Sequence, residues 1–234
     1  AAKFLEYFVP PVLTAISRDA SFADSHPDLC EDVIGFLLVY ADWCPDLLVA
    51  SPLLPPVLTA ISGMLGVTNK YLFYIVVDFL CALYKAINGN WHHYLSSQLY
   101  AMLFESNVEM LHRLFATATG NRRTGDSLHL VHLLPQMLDF HLRINSADAP
   151  VPAHLAAQAA QPGKGASAEE VLQSVLRQPV FSEVGEHMRL ELVEAIVDFE
   201  RVPNERMMRK VQELLGEVLS AAKGETERRE KNNK

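Results

Sequence analysis

The sequence has little cysteine and lacks the common motifs of covalent catalysis. Its 234 residues include only three cysteines, Cys30, Cys44 and Cys81, an odd number that is too small for a disulfide framework. A reducing compartment is the simpler expectation. Their apolar or proline-flanked contexts predict small core residues rather than nucleophiles. The sequence also lacks a glycine-rich phosphate loop, a nucleophile elbow and a paired-carboxylate site. We therefore predict no enzyme, no cofactor and no bound metal.

Long apolar runs and a basic surplus are also lacking. The stretch Leu47 to Ile61 is broken by three prolines. The run Tyr71 to Leu83 contains Asp78 and falls short of the roughly 20 residues that a bilayer requires. The chain starts at Ala1 without a methionine or a charged-then-apolar leader, so we expect a fragment of a longer protein. The net charge of −8, from 20 basic and 28 acidic side chains, argues against a general nucleic-acid binder and suits basic partners.

Two pairs of histidines are the remaining candidates for chemistry. His129 and His132 lie three residues apart on a predicted helix, but no carboxylate or cysteine of that helix has a spacing that would complete a metal site. His92 and His93 follow an Asn-Gly-Asn turn, where they either line the turn or contact a partner. A metal-dependent or nucleophilic enzyme built on helices stays an alternative, although it needs ligands that the sequence spacing does not suggest.

An eight-residue repeat organises the first part of the chain. Residues 10–17 and 55–62 both read PPVLTAIS, at an offset of 45 residues. Periods of roughly 40 to 47 residues are typical of HEAT and armadillo units. A loop and a longer apolar-periodic run, Asp28 to Cys44 and then Tyr71 to Ile87, follow each copy. Each unit is therefore predicted to be a helix opened by prolines, a turn and a longer second helix.

These patterns predict an all-α fold. No segment alternates with a period of two over the length of a strand. We expect an α–α superhelix, which is a HEAT/armadillo-like solenoid of antiparallel helix pairs. The predicted organisation is HEAT-like repeats over residues 1–145, a flexible Ala/Pro-rich insert over 146–168, closing helices of the same solenoid over 169–222, and a fraying polar tail over 223–234. The insert has nine alanines among its 23 residues, so it can bury little surface.

The most distinctive surface feature is a run of acidic residues. Seven carboxylates and no Lys or Arg lie between Asp19 and Asp46. A helical wheel for residues 28–43 places on one side Leu29, Val33, Phe36, Leu37 and Tyr40. It places on the other side Asp28, Glu31, Asp32, Gly35, Val39 and Asp42. Like charges at this spacing repel by a few tenths of a kcal/mol per pair. The acidic stripe, defined as Asp28, Glu31, Asp32, Asp42 and Asp46, is thus either a solvated helix face or a binding surface for a basic partner.

Four short segments resemble a known family. They read HPD from His26, EDVIGFL from Glu31, CPDLL from Cys44 and LPPVL from Leu54. This succession of helices and prolines is similar to the late HEAT repeats of the importin-β superfamily, and most of all to its transportin-SR and importin-thirteen branch. The resemblance covers about residues 4–145 and, more faintly, Met188 to Leu215 as closing helices.

The resemblance implies the carboxy-terminal part of a nuclear transport receptor that works in the cytoplasm and the nucleus. Such receptors are curved solenoids that bind cargo proteins on their inner helices under the control of Ran-GTP. Basic cargo is then expected on the acidic stripe, Ran-GTP on amino-terminal repeats that this chain does not contain, and nucleoporins as further partners. Direct nucleic-acid binding and membrane insertion are not expected. A HEAT-repeat scaffold subunit of a phosphatase or trafficking complex, with no transport role, is the alternative.

Overall fold

The computed structural model describes residues 7–19, 21–94, 97–118, 127–145, 168–182, 184–201 and 205–232. Within these ranges the chain is helical apart from turns and contains no strand, which confirms the prediction of an all-α fold. The chain divides into two compact units, Ala1–Met110 and Leu111–Lys234. The predicted Ala/Pro-rich insert lies outside the described residues, except for Ala168.

The first unit contains both short and long helices. These helices are α1 (Val9–Arg18), α2 (Phe22–Ser25), α3 (Pro27–Trp43), α4 (Pro45–Val49), α5 (Leu54–Met64), α6 (Lys70–Gly89), α7 (Trp91–Tyr94) and α8 (Gln98–Ala118), in which the unit boundary falls. Prolines occupy the first turns of α1, α3, α4 and α5. A proline is tolerated there because the N–H it lacks would have no partner within the helix. The prolines of α1 and α5 therefore mark helix starts as the sequence predicts, and Pro27 and Pro45 start α3 and α4 in the same way.

The two copies of the eight-residue repeat pack against each other, since α1 contacts α5. The longer helices that follow them pair in the same way, and α3 lies against α6. The two long helices approach closely at Gly35, where a Cβ atom would lie 3.1 Å from Cδ1 of Ile75. The segments that follow α1 and α5 also contact each other, at a separation of 44 residues. Asp24 Oδ1 in α2 accepts hydrogen bonds from the backbone N of Thr68 at 2.6 Å and from its Oγ1 at 2.8 Å. Equivalent parts of the two sequence units are thus in contact.

Helix α6 forms the core of the first unit. It begins at the N-cap Asn69, whose side chain accepts a hydrogen bond from the backbone N of Leu72 at 3.0 Å. The fully buried hydroxyl of Tyr84 donates to Oδ1 of Asn107 in α8 at 2.6 Å. Burial of such a polar group is tolerated because it is hydrogen-bonded.

The 20 residues of α6 are long and apolar enough to cross a membrane by length and composition alone. The prediction that this apolar segment is too short to cross a bilayer was therefore wrong, because the helix continues beyond Leu83 to Gly89. A core helix passes the same test, and 67% of the most apolar stretch of α6 is buried inside the protein.

The described residues of the second unit form four longer helices and a 3₁₀ turn at Pro179–Phe181. The helices are α9 (Ser127–Asn145), α10 (Ala168–Leu176), α11 (Glu186–Arg201) and α12 (Glu205–Asn232). Helix α12 packs on α9 and α11, and α10 packs on α11. The backbone is helical to Asn232, whereas the sequence predicts a fraying tail from residue 223. Glu, Lys and Arg are good helix formers, and extending an existing helix needs no new nucleus.

Candidate protein-binding surface

Helix α3 carries most of the acidic stripe, and its buried side differs from the one that the helical wheel predicts. The buried side chains are Cys30, Val33, Ile34, Leu37 and Ala41. Leu29, which the wheel places in the core, is 44% exposed, and Phe36 and Tyr40 are only half-buried. The wheel was wrong because large apolar side chains dominate such a pattern, whereas the core of α3 includes small residues.

The five residues of the acidic stripe do not share one surface. Asp28 and Asp32 are exposed, whereas Glu31 is half-buried. Gly35, which the wheel places on the acidic side, contacts α6. Asp42 is exposed but lies near the Cys81 thiol of α6, whose pKa is raised by burial, lowered in part by Lys85, and raised further by the charges of Asp78 and Asp42. Helix α6 therefore approaches α3 on the side of Gly35 and Asp42 and leaves Asp28 and Asp32 at the surface.

Asp46 belongs to a small hydrogen-bonded cluster. Its Oδ1 accepts a hydrogen bond from Tyr94 Oη at 2.6 Å and lies 3.1 Å from Nε2 of His93. The hydrogen bond from Tyr94, helped by His93, holds the pKa of Asp46 below its usual value. Burial and the neighbouring carboxylate raise the pKa of Tyr94. The cluster joins α4 to α7, so a partner that engages Asp46 meets a carboxylate that is already hydrogen-bonded.

An exposed apolar row follows α3 and continues into α4, a feature absent from the sequence-based site. Trp43 is 82% exposed, Val39 55% and Leu47 in α4 64%. A row of large side chains this exposed is unusual on a surface, where single scattered apolar residues are the norm. Helical spacing of these apolar residues is visible in the sequence. Such spacing alone does not show whether a helix side is buried in the core or exposed to solvent.

The three cysteines differ in environment. Cys30 and Cys81 are buried, as predicted, and burial raises the pKa of the Cys30 thiol to about 11. Cys44 is exposed, so its prediction as a core residue was wrong. It follows the last residue of α3 and caps the start of α4, where the chain turns at the surface.

One serine–histidine contact occurs in the second unit. His112 Nε2 lies 3.3 Å from Ser174 Oγ, and its Nδ1 lies 2.6 Å from the amide nitrogen Nε2 of Gln178. These contacts join His112 of α8 to Ser174 of α10 and to Gln178 just beyond it, and burial lowers the pKa of His112.

The second unit also holds a small cavity among its described residues. Its volume is about 150 Å³, and its lining includes Arg177, Glu186 and Arg189. One guanidinium nitrogen of Arg189 donates to the carbonyl of Leu176 at 3.2 Å. Such a volume is well below the roughly 300 Å³ at which ligand pockets begin. In the part of the chain that the structure describes, no three His, Cys, Asp or Glu side chains are grouped to hold a metal ion, and His129 and His132 have no third ligand of these types.

A scan against protein-family models found no match, and searches of the curated proteins and of the solved structures found none either. The functional assignment therefore depends on the sequence pattern and on the surface geometry of α3 and α4.

Proposed function

We propose that this chain is a HEAT-like helical-repeat protein that binds other proteins, and that it acts as the carboxy-terminal part of a nuclear transport receptor in the cytoplasm and the nucleus. The pairing of equivalent helices, α1 with α5 and α3 with α6, is the observation that carries the proposal. Repeats that pack through equivalent helices leave a continuous surface for partners, which is how solenoid proteins are used.

The charge of α3 supports a basic partner. Asp28 and Asp32 are exposed, and neither has a basic partner among the described residues. A Lys- or Arg-rich segment of a cargo protein would find complementary charge there, and it would associate faster at low salt. In this proposal Ran-GTP acts through amino-terminal repeats, and nucleoporins are further partners.

A titration with an extended basic peptide tests the binding surface. The peptide carries several Lys and Arg residues and a central proline that prevents it from forming a helix. We expect binding at low salt, about tenfold weaker when the acidic stripe is converted to Asn and Gln at all five positions. The control variant loses the same five charges far along the chain, by amide substitution of Glu186, Glu191, Glu194, Asp198 and Glu213. Equal affinity of the two variants would mean that net charge alone attracts the peptide and would reject the surface.

A second experiment separates a transport receptor from a scaffold subunit without a transport role. The native protein is precipitated from cell extract together with its bound proteins, and Ran-GTP is added to the beads. Release of basic cargo by Ran-GTP, with Ran-GDP inactive, is the result expected of a transport receptor. Retention of every bound protein would support the scaffold instead.

A further inference from the structure

Five residues along one side of α3 have the spacing of a helix-docking seam. Leu29, Asp32, Phe36, Val39 and Trp43 follow one another at intervals of three, four, three and four residues. This is the a–d spacing of a coiled coil, with Leu29, Phe36 and Trp43 at a and with Asp32 and Val39 at d. We call these five residues the α3 seam. In the same register Asp28 and Asp42 occupy g positions, whose charges select the partner of such a helix.

The internal repeat shows what these positions do elsewhere in the chain. At an offset of 44 residues, the equivalents of the α3 seam in α6 are Phe73, Val76, Leu80, Leu83 and Ile87. All five are fully buried, with no exposed surface. The corresponding face of α6 is therefore a contact face, whereas Trp43, Val39 and Leu29 on α3 keep between 82% and 44% of their surface exposed. Leu29, Asp32, Val39 and Trp43 of the α3 seam are therefore exposed at positions that are contact positions in α6, whereas Phe36 is half-buried beside Tyr40.

One substitution between the two copies indicates the partner's charge. The d position held by Val76 in α6 is held by Asp32 in α3. A carboxylate in a permanent apolar contact would cost several kcal/mol unless a cation paired with it. Asp28 and Asp42 add two more acids beside the α3 seam, and no Lys or Arg lies between Asp19 and Asp46. The α3 seam thus combines apolar contact positions with acids only.

We propose that the α3 seam binds an amphipathic helix of another protein, one with apolar residues at heptad spacing and Lys or Arg beside them. The apolar residues would cover Leu29, Phe36 and Trp43, and the basic residues would pair with Asp28 and Asp32. This inference deepens the proposed function, because it specifies the structure of the basic segment that the protein binds. Helix-in-groove recognition of this kind reads the partner through residues at three- and four-residue spacing.

The test uses three synthetic peptides, each three heptads long. The first has Leu at a and d with Lys at e and g, the second replaces Lys by Glu, and the third scrambles the order of the first. Trp43 reports binding through its fluorescence after Trp91→Phe removes the other tryptophan. We expect the Lys peptide to bind and to shift the Trp43 emission, the Glu peptide to fail, and the scrambled peptide to bind at least tenfold more weakly.

Two variants assign the binding to the α3 seam. Trp43→Ala should weaken binding of the Lys peptide about tenfold or more, as for a buried aromatic anchor, with affinity measured by calorimetry. Tyr71→Ala removes a 69% exposed aromatic residue of α6 and serves as the matched control, with binding unchanged. Asp28→Lys combined with Asp32→Lys should reverse the preference, so that the Glu peptide binds and the Lys peptide does not.

The outcomes distinguish the inference from the proposed function. Equal binding of the Lys and scrambled peptides, or no effect of Trp43→Ala, rejects helix docking. If the extended basic peptide still binds through the acidic stripe, the proposed function survives that rejection. If no basic peptide binds, both proposals fail. Sedimentation that shows self-association of the chain, abolished by Trp43→Ala, would make a second copy the occupant and overturn the basic partner.

Discussion

The close contact between α3 and α6 at Gly35 predicts an unusual response to adding one methyl group. Alanine in place of glycine inside a helix gains about 1 kcal/mol of stability. At Gly35 the new Cβ would lie 3.1 Å from Cδ1 of Ile75, a few tenths of an ångström closer than ordinary van der Waals contact. Moving Ile75 to relieve this contact costs about 0.5–1.5 kcal/mol. The two effects are similar in size, so we expect Gly35→Ala to leave the free energy of unfolding nearly unchanged.

A double-mutant cycle separates the gain in helix propensity from the steric cost at Ile75. Ile75→Val removes the methyl group that Gly35→Ala would meet, so on that background Gly35→Ala should stabilise by about 1 kcal/mol. The resulting coupling energy between the two positions is about 1 kcal/mol, within the range seen for residues in contact. Urea unfolding followed by far-ultraviolet circular dichroism measures all four proteins.

Gly63→Ala in α5 is the matched control. A Cβ at Gly63 meets no atom within 4 Å, so this change reports helix propensity without crowding and should stabilise by about 0.5–1 kcal/mol. The reasoning is refuted if Gly35→Ala stabilises as much as Gly63→Ala and shows no coupling to Ile75. That result would mean that α3 and α6 are farther apart than the structure places them.

Three further predictions follow from the caps, the carboxylate cluster and the cysteines. Asn69→Ala removes the N-cap of α6 and should destabilise by about 1 kcal/mol in the same urea assay, whereas Asn69→Asp should retain most of the stability. Tyr94→Phe should raise the pKa of Asp46, measured by carboxyl NMR titration. The folded-state pKa of Asp46 is depressed, so this carboxylate stabilises the protein above its unfolded pKa near 4. That stabilisation is lost as the pH falls through the folded pKa. An unchanged Asp46 titration in Tyr94→Phe would contradict the role of the Tyr94 hydroxyl. A thiol reagent should modify Cys44 rapidly and the two buried cysteines only after unfolding.

Local features of the sequence predicted the helices well. The two PPVLTAIS segments predicted helices opened by prolines, which are α1 and α5, and a longer helix after each of them, which are α3 and α6. These predictions succeed because a proline at a helix start and a repeat are properties of the chain itself, independent of what packs around it.

The surface was harder to predict, because exposure depends on neighbours from elsewhere in the chain. Leu29 and Phe73 are equivalent in the repeat, yet one is 44% exposed and the other is fully buried. The bond between Asp46 and Tyr94 spans 48 residues and joins α4 to α7, so neither a local pattern nor the 45-residue repeat offset predicts it. The wheel for α3 failed for the related reason that it weighs side chains without knowing where α6 lies.

The identical segments in α1 and α5 have a consequence for how the chain reaches its native state. Each copy carries the same eight residues, so the contact between them offers little sequence information about which copy belongs where. An α5 segment from one molecule can take the place of α1 in another, and such exchanges are a known hazard of proteins built from repeats. The order in which the segments leave the ribosome, with α1 first and α5 only after α3 and α4, then helps each copy to find its own partner.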